Sequence, residues 1–585
     1  MNEQSLFDRY DVSPLLKKIV DGIAMSSAAN APFQVHLQNL NGSSPVFVLQ
    51  HIFTHPQTAT YNHVIVLNDA EEAAYFYNSI ESITGAMDLF YFPSSFKTSQ
   101  NFNLLNPSHV MLRTEALTKL SMGGNKKIVV TYPEAFFEKV IMPKTLQENI
   151  IQIKTNDTFG LDDLMERLIQ YGFERTDFVY EPGQFALRGG IFDIYSFGNE
   201  KPYRVELFGE EVDSIRLFDP ATQLSERKLL QVNIIPNVTT QFEDTIKIPF
   251  MEFVPENTVV WLKDWTLIQQ RGNDQMEALE AFLLHAPILK ITDDADAHKK
   301  NTDKDDFVSV EKVIEQVFNK PIIEWGFQAN LTKQKLAFST QVQPSFNRQF
   351  QYLIANLQEY EKKGYDLFLF AEQAKQLERL HAIFTDLKTE IQFTPIVKNI
   401  HEGFIDHDHK MVCYTDHQIF QRYHKYKVKQ AYSKNKAITL RTLSDLHPGD
   451  YVTHIDHGVG VYSGLQKIEV NGMMQEAVRI IYKDSDILYV NINSLHKISK
   501  YTGKEGTPPK VNKLGSDAWV KLKDKTKAKV KAIAFDLIKL YAQRKAQTGF
   551  AFTPDNYMMH ELEASFIYED TIDQAKAIAD VKKDM

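Results

Sequence analysis

Two stretches of this chain share one rhythm, a short apolar run alternating with a helix-like segment, and that rhythm restricts the backbone more than any other feature. In residues 1–145 the run 63–67 (HVIVL) precedes a helical pattern over 71–83, and the run 127–131 (KIVVT) precedes the helical PEAFFEKV. In residues 345–430 a helical pattern over 347–362 leads to the run 366–370, then to a helix over 372–388 and the run 410–414. Strands that alternate with helices predict parallel sheets flanked by helices. Residues 146–219 break the rhythm. A short amphipathic helix over 161–171 is followed by strand-like runs punctuated by Gly183, Gly189, Gly190, Gly198 and Gly209, which predicts a small α+β unit built on antiparallel hairpins.

Further along, residues 431–444 read as an extended linker. Residues 445–500 read as a compact β unit with strand runs 477–482 and 487–492. Over 517–546, Trp519, Leu522, Val530, Ile533, Leu537 and Leu540 keep helical spacings, which predicts a long amphipathic helix. The chain stops at Met585 inside a helical pattern, which suggests a truncated product.

Composition narrows the function classes. The 585 residues carry 65 Lys+Arg against 75 Asp+Glu, a net charge of -10, which argues against nucleic acid wrapped over the whole surface but leaves room for local basic patches. A single cysteine, Cys413, excludes an internal disulfide and any cysteine-cluster metal site. There is no leader-like N-terminus, and no apolar run approaches the ~18 residues of a membrane span. A cytoplasmic protein with no membrane partner is expected.

Several motifs admit a functional and a plainer reading. Asn41-Gly42-Ser43-Ser44-Pro45 lies between a strand-like segment and a helix, where a phosphate loop would sit. It lacks the lysine that such a loop uses to neutralise phosphate, so a nucleotide fold that binds no nucleotide is expected. His401, His407, His409, His417 and His424 form a histidine-rich stretch in which His407 and His409 stand two apart on a loop with no cysteine beside them and no H-x-x-x-H pair; a surface loop is expected, with no metal ligands and no catalytic residue. Residues 293–306 (DDADAHKKNTDKDD) read as an exposed loop. Residues 420–436 (FQRYHKYKVKQAYSKNK) interleave basic and aromatic side chains, a composition shared by nucleic-acid contacts and solvated linkers. The lysines of 521–531 flank an apolar stripe, as in a docking helix. Thr571 and Gln574 stand three apart where a helix begins, as an N-cap requires.

Three segments together are similar to the N-terminal half of the bacterial transcription-repair coupling factors. Residues 187–223 (LRGGIFDIYSF…PYRVELFGEEVDSIRLFDPATQ) resemble the module these share with the excision-repair protein UvrB. Residues 446–501 (LHPGDYVTHIDHGVGVYSGL…ILYVNINSLHKISKY) resemble the polymerase-interacting domain shared with CarD-type regulators. Residues 513–552 resemble the helix that links to the motor. The resemblance implies an α/β multi-domain protein. Residues 1–145 and 220–335 would form a degenerate P-loop-type parallel α/β domain, with 146–219 inserted as the UvrA-binding domain. Residues 345–430 would form a second small α/β domain, 445–512 a Tudor- or CarD-like β barrel, 513–552 the linking helix, and 553–585 the start of a translocase domain.

The same resemblance implies partners and sites. Arg175, Phe185 and Arg188 would face UvrA, the arginines pairing with acidic groups and the Phe filling the desolvated centre of the contact. Ala186 stands where related modules carry a further Arg. Strand 477–482 would pair by its edge with the β subunit of RNA polymerase, with Val478, Arg479, Ile480 and Ile481 near the contact and half of them pointing outward. Gly458 and Gly460 would allow tight turns. Gln574 would read adenine in an incomplete site. ATP and Mg, with double-stranded DNA, are implied for a full-length translocase, and no ATP turnover is expected of these residues. Two other readings remain open at this point, a UvrB-like ATP-dependent helicase and a CarD-like transcription regulator. ATPase assays and UvrA binding would separate them.

Overall fold

The computed structural model describes residues 4–285, 302–426 and 448–585, apart from 27–31, 87, 99–100, 221, 238–245, 328–330, 423, 425, 455, 471–472, 492–497, 502–508, 510, 516–517, 548, 554, 565 and 567–569. The linker 431–444, most of the polar stretch 293–306 and residues 427–436 of the basic-aromatic segment lie outside the described residues. The chain divides into two compact units, one of residues 1–150, 237–430 and 553–584, the other of 151–236 and 431–552.

The first unit holds both α/β domains. Seven strands form one parallel sheet in the order Gln334–Ala337, Gln34–Gln38, Ile322–Trp325, Thr258–Lys263, Asn62–Val66, Ile128–Thr131, Leu89–Phe92. The central strands are buried along their whole length, which explains why they read as unbroken apolar runs rather than alternations. Helices Ser44–Thr54 and Ala70–Thr84 follow the strands Gln34–Gln38 and Asn62–Val66. Asp69 caps the second of these by accepting from Glu72 N at 2.9 Å, and Gly85 ends it at φ 57°.

The second α/β domain is a five-stranded mixed sheet in the order Thr340–Val342, Phe404–Asp406, Met411–Thr415, Asp366–Phe370, Thr394–Ile396. Helices Phe350–Lys362 and Ala374–Asp386 pack on it around Leu353, Leu357, Leu380 and Ile383, all fully buried. Cys413 is buried within the Met411–Thr415 strand.

The second unit holds the α+β insertion and the β unit. The insertion is a six-stranded sheet in the order Ser225–Leu229, Glu211–Phe218, Tyr203–Phe208, Ile191–Ile194, Gln184–Arg188, Glu174–Arg175, antiparallel except for the last pair. It reaches further along the chain than 146–219. Strand Ile151–Lys154 pairs with Gln231–Ile234 to close its base, and Ser225–Leu229 extends its sheet.

The β unit is a five-stranded antiparallel sheet in the order Ile487–Asn491, Met473–Ile481, Gly458–Val470, Tyr451–His454, Ile498–Lys500. Its longest strand slips register between Tyr462 and Leu465, where Gly464 takes φ 93°. That bulge bends the strand and turns Leu465 outward, 41% exposed, while Tyr462 stays in the core. Gly458 does make a turn, at φ 80°. Gly460 serves otherwise: it lies in extended strand, and a Cβ there would meet Ile480 Cγ2 at 2.5 Å.

Helix Ala518–Ala546 begins against the β unit, with Trp519 beside the Gly458 turn. Beyond that start its apolar residues Leu522, Val530, Ile533, Leu537 and Leu540 are each more than half exposed. No helix among the described residues is long and apolar enough to cross a membrane.

Candidate functional site

The loop after strand Gln34–Gln38 stands where a parallel α/β sheet carries phosphate, at the carboxyl end of a strand and before a helix. Its hydrogen bonds go elsewhere. Ser43 N donates to the Glu402 carbonyl at 3.0 Å, and Ser43 Oγ accepts from Glu402 N at 3.0 Å. Asn41 N donates to Thr340 Oγ1 at 2.9 Å, and Asn41 Nδ2 donates to the Thr340 carbonyl at 2.8 Å. Gly42, at φ 56°, packs so closely that a Cβ would lie 2.7 Å from the Gly403 carbonyl. The second α/β domain has therefore taken the N–H groups that would cradle a phosphate.

The cavity beside the loop, about 410 Å³, is lined by Asp69, Glu71, Glu72 and Glu402 against one ammonium, Lys263. Lys263 is ion-paired with Glu72. Four carboxylates outweigh one lysine already paired with Glu72 and repel a triphosphate, so the residues present do not fit ATP. Sequence reading could see the missing lysine of the loop, but not that a distant segment, 402–403, fills it.

In the insertion, the three residues assigned to one face separate. Arg175 is exposed on the edge strand Glu174–Arg175. Phe185 is 0% exposed, packed against Phe192 in the module's own core with ring centroids 6.1 Å apart, so it fills no pocket on a partner. Arg188 is drawn inward. Its guanidinium pairs with fully buried Asp193, donates to the Asp177 carbonyl at 2.9 Å and lies 4.5 Å over the Phe178 ring. Asp193 also receives Arg204 Nε at 2.8 Å and Nη2 at 2.9 Å. Alternation places 185 inside by periodicity, yet nothing in the sequence marks Asp193 as the anion that holds Arg188. Ala186 is buried with Val179, Tyr195 and Phe218, leaving no room for an Arg.

In the β unit, strand Met473–Ile481 is paired on both sides, so it offers no edge for strand addition. Val478 and Ile480 are fully buried in the core, and Arg479 and Ile481 are half-buried on the opposite face. The edges of the sheet are Ile487–Asn491 and Ile498–Lys500, and the first of these flanks Met473–Ile481. It carries exposed Ile487 and Tyr489, which register with Ile481 and Arg479. Sequence reading placed this second strand but could not tell an outer strand from an inner one, because order in a sheet is set by pairing.

Gln574 lies at the start of helix Ile572–Asp584. Its Oε1 accepts from Thr571 N at 2.9 Å, and Gln574 N donates to Thr571 Oγ1 at 3.3 Å. This reciprocal pair is a capping box. Helix Tyr557–Ala564 packs on the second α/β domain, where Arg379 donates to Glu563 at 2.9 Å.

The five histidines do not form one surface loop. His409 is buried and its Nδ1 donates to Asp406 Oδ2 at 2.8 Å, and His407 meets the Tyr365 hydroxyl at 2.9 Å. His401, His417 and His424 converge instead, and a nitrogen from each lies within 4.8 Å of the others. Burial holds these imidazoles below the ordinary histidine range, His401 and His424 down to about 4.

Residues 151–239 match the UvrB interaction domain, and residues 446–502 match the CarD-like/TRCF RID domain. The first match starts and ends within a few residues of the 151–236 insertion. The chain is similar to the transcription-repair-coupling factor of Bacillus subtilis (strain 168), 27% identical over 96% of this chain and 52% of that protein. It is 26% identical to that of Staphylococcus aureus (strain MRSA252) and 25% to that of Staphylococcus haemolyticus (strain JCSC1435), each over 89% of this chain and 50% of the relative. The chain thus resembles a transcription-repair-coupling factor along nearly all its length and spans about half the length of these curated relatives.

Proposed function

We propose that this chain is a two-handed adaptor of transcription-coupled DNA repair, gripping UvrA with one module and RNA polymerase with another. The observation that carries the reading is the pairing of two domain matches, each on a separately packed core of the second unit. The UvrA-facing surface centres on Arg175 and the Glu174–Arg175 edge, with Arg188 and Phe185 shaping it from behind. The polymerase β subunit adds to the outer Ile487–Asn491 strand, whose backbone supplies attachment while Ile487 and Tyr489 supply choice of partner.

Within these residues the adaptor turns over no ATP. The filled Gly42 loop and the acidic cavity beside it support this, and they argue against the helicase reading. ATP with Mg, adenine reading by Gln574 and movement on double-stranded DNA belong to the longer protein that the relatives represent. Pull-downs with purified UvrA and polymerase test the adaptor. Both partners should be retained at once, and retention of polymerase without UvrA would instead favour a CarD-like regulator.

A further inference from the structure

We infer that His401, His417 and His424 form a binding site for one divalent transition-metal ion, zinc by its donor chemistry, with three imidazole ligands and an open fourth position. The three side chains come from the loop before strand Phe404–Asp406, from the short helix Asp416–Ile419 and from the segment beyond it. A neutral imidazole carries one N–H, so its hydrogen-bond partners fix which nitrogen is free. His417 Nε2 lies 2.8 Å from the His401 carbonyl, and His424 Nε2 lies 2.6 Å from Asn399 Oδ1. Both partners accept only, so both Nε2 atoms carry the proton and both Nδ1 atoms carry a lone pair. Metal-bound histidines are held in this way, the outer nitrogen donating to a carbonyl while the inner one takes the ion.

The third nitrogen completes the set. His401 Nδ1 lies 3.1 Å from His424 Nδ1. Moving the His401 proton to Nε2 turns this lone pair inward as well. The His417 and His424 rings stack at 4.2 Å, and Tyr75 stacks on His401 at 3.7 Å while donating to the His424 carbonyl at 2.8 Å. The side chains are thus gathered before an ion arrives, and the His417 and His424 rings, 8° from parallel, turn out of their stack to bring both lone pairs onto one ion. Three imidazoles with no thiolate suit zinc, and three protein ligands leave a fourth position for water or a small anion. His401 also borders the cavity of about 410 Å³, which gives such a ligand a route in. Bound there, the ion would staple the segment through His424 back onto the second α/β domain.

The test uses the full 585-residue chain, stripped with a chelator and titrated with zinc chloride against a chromophoric competitor. One zinc per chain and a raised Tm are expected. His401→Ala and His424→Ala should each weaken binding by at least about 100-fold, beyond the roughly 10–100-fold cost of losing an outer partner. His407→Ala, outside the cluster, should bind as wild type. Cobalt(II) loading should give the intense visible bands of a tetrahedral nitrogen site, and circular dichroism checks that each variant is folded. Zinc binding of equal strength in the folded His401→Ala/His424→Ala double variant, or no binding by wild type, would overturn the proposal.

Discussion

Arg175 and Arg188 show how two arginines a short distance apart in sequence are given different work by their surroundings. Arg188 neutralises a buried carboxylate, and Asp193 would keep only Arg204 without it. Arg188→Ala should therefore lower the stability of the insertion by about 2 kcal/mol, because a buried charge loses a partner. Arg175→Ala should leave stability within about 0.5 kcal/mol of wild type and weaken UvrA binding. Urea melts alongside UvrA titrations separate the two effects, and equal destabilisation by both would contradict this division. His63 gives a second residue-scale outcome. It is fully buried, accepts from Trp261 Nε1 at 3.1 Å, and burial lowers its pKa from 6.5 to about 3. The unfolded chain takes up this proton first as pH falls, so stability is lost between pH 6.5 and 3 and is intact above it. His63→Gln should flatten that acid limb, by up to about 1.4 kcal/mol per pH unit for one site.

At the scale of elements, the decisive fact is position in a sheet. Strand Met473–Ile481, which the family resemblance marked for binding, sits inside, whereas Ile487–Asn491 lies at an edge. Ile480→Glu should cost more than about 4 kcal/mol and unfold the β unit, since it buries a carboxylate against Val478 and Val490. Ile487→Glu, at a 39% exposed position, should leave the unit folded and reduce polymerase binding. Thermal melts with polymerase pull-downs check both, and a folded Ile480→Glu would contradict the assigned core. The Gly458 turn is equally strict. A side chain there meets Asn512 Oδ1 at 2.6 Å at φ 80°, so Gly458→Ala should destabilise the unit by about 1–3 kcal/mol.

At the scale of the molecule, the two proposed grips rest on separate hydrophobic cores. In a double variant each partner should therefore respond to its own substitution alone, UvrA binding matching Arg175→Ala and polymerase binding matching Ile487→Glu within about 0.5 kcal/mol. The first α/β domain is a parallel sheet whose loop after strand Gln34–Gln38 is occupied by its neighbour. Steady-state assays with double-stranded DNA should find no ATP turnover, and turnover well above background would return the helicase reading.

The elements themselves were legible in the sequence because local periodicity and turn residues encode them. The run 366–370 is the strand Asp366–Phe370, and Thr571 with Gln574 caps a helix as their spacing implies. The family resemblance was legible for a related reason, since it rests on contiguous segments. What tertiary structure alone decided was partnership across long separations: Glu402 on Ser43, Asp193 on Arg188, the outer place of Ile487–Asn491, and three histidines gathered from 24 residues of chain into one cluster. Hydrogen bonds, ion pairs and strand edges depend on where distant segments meet in space, and a linear pattern carries that information only after the chain has folded.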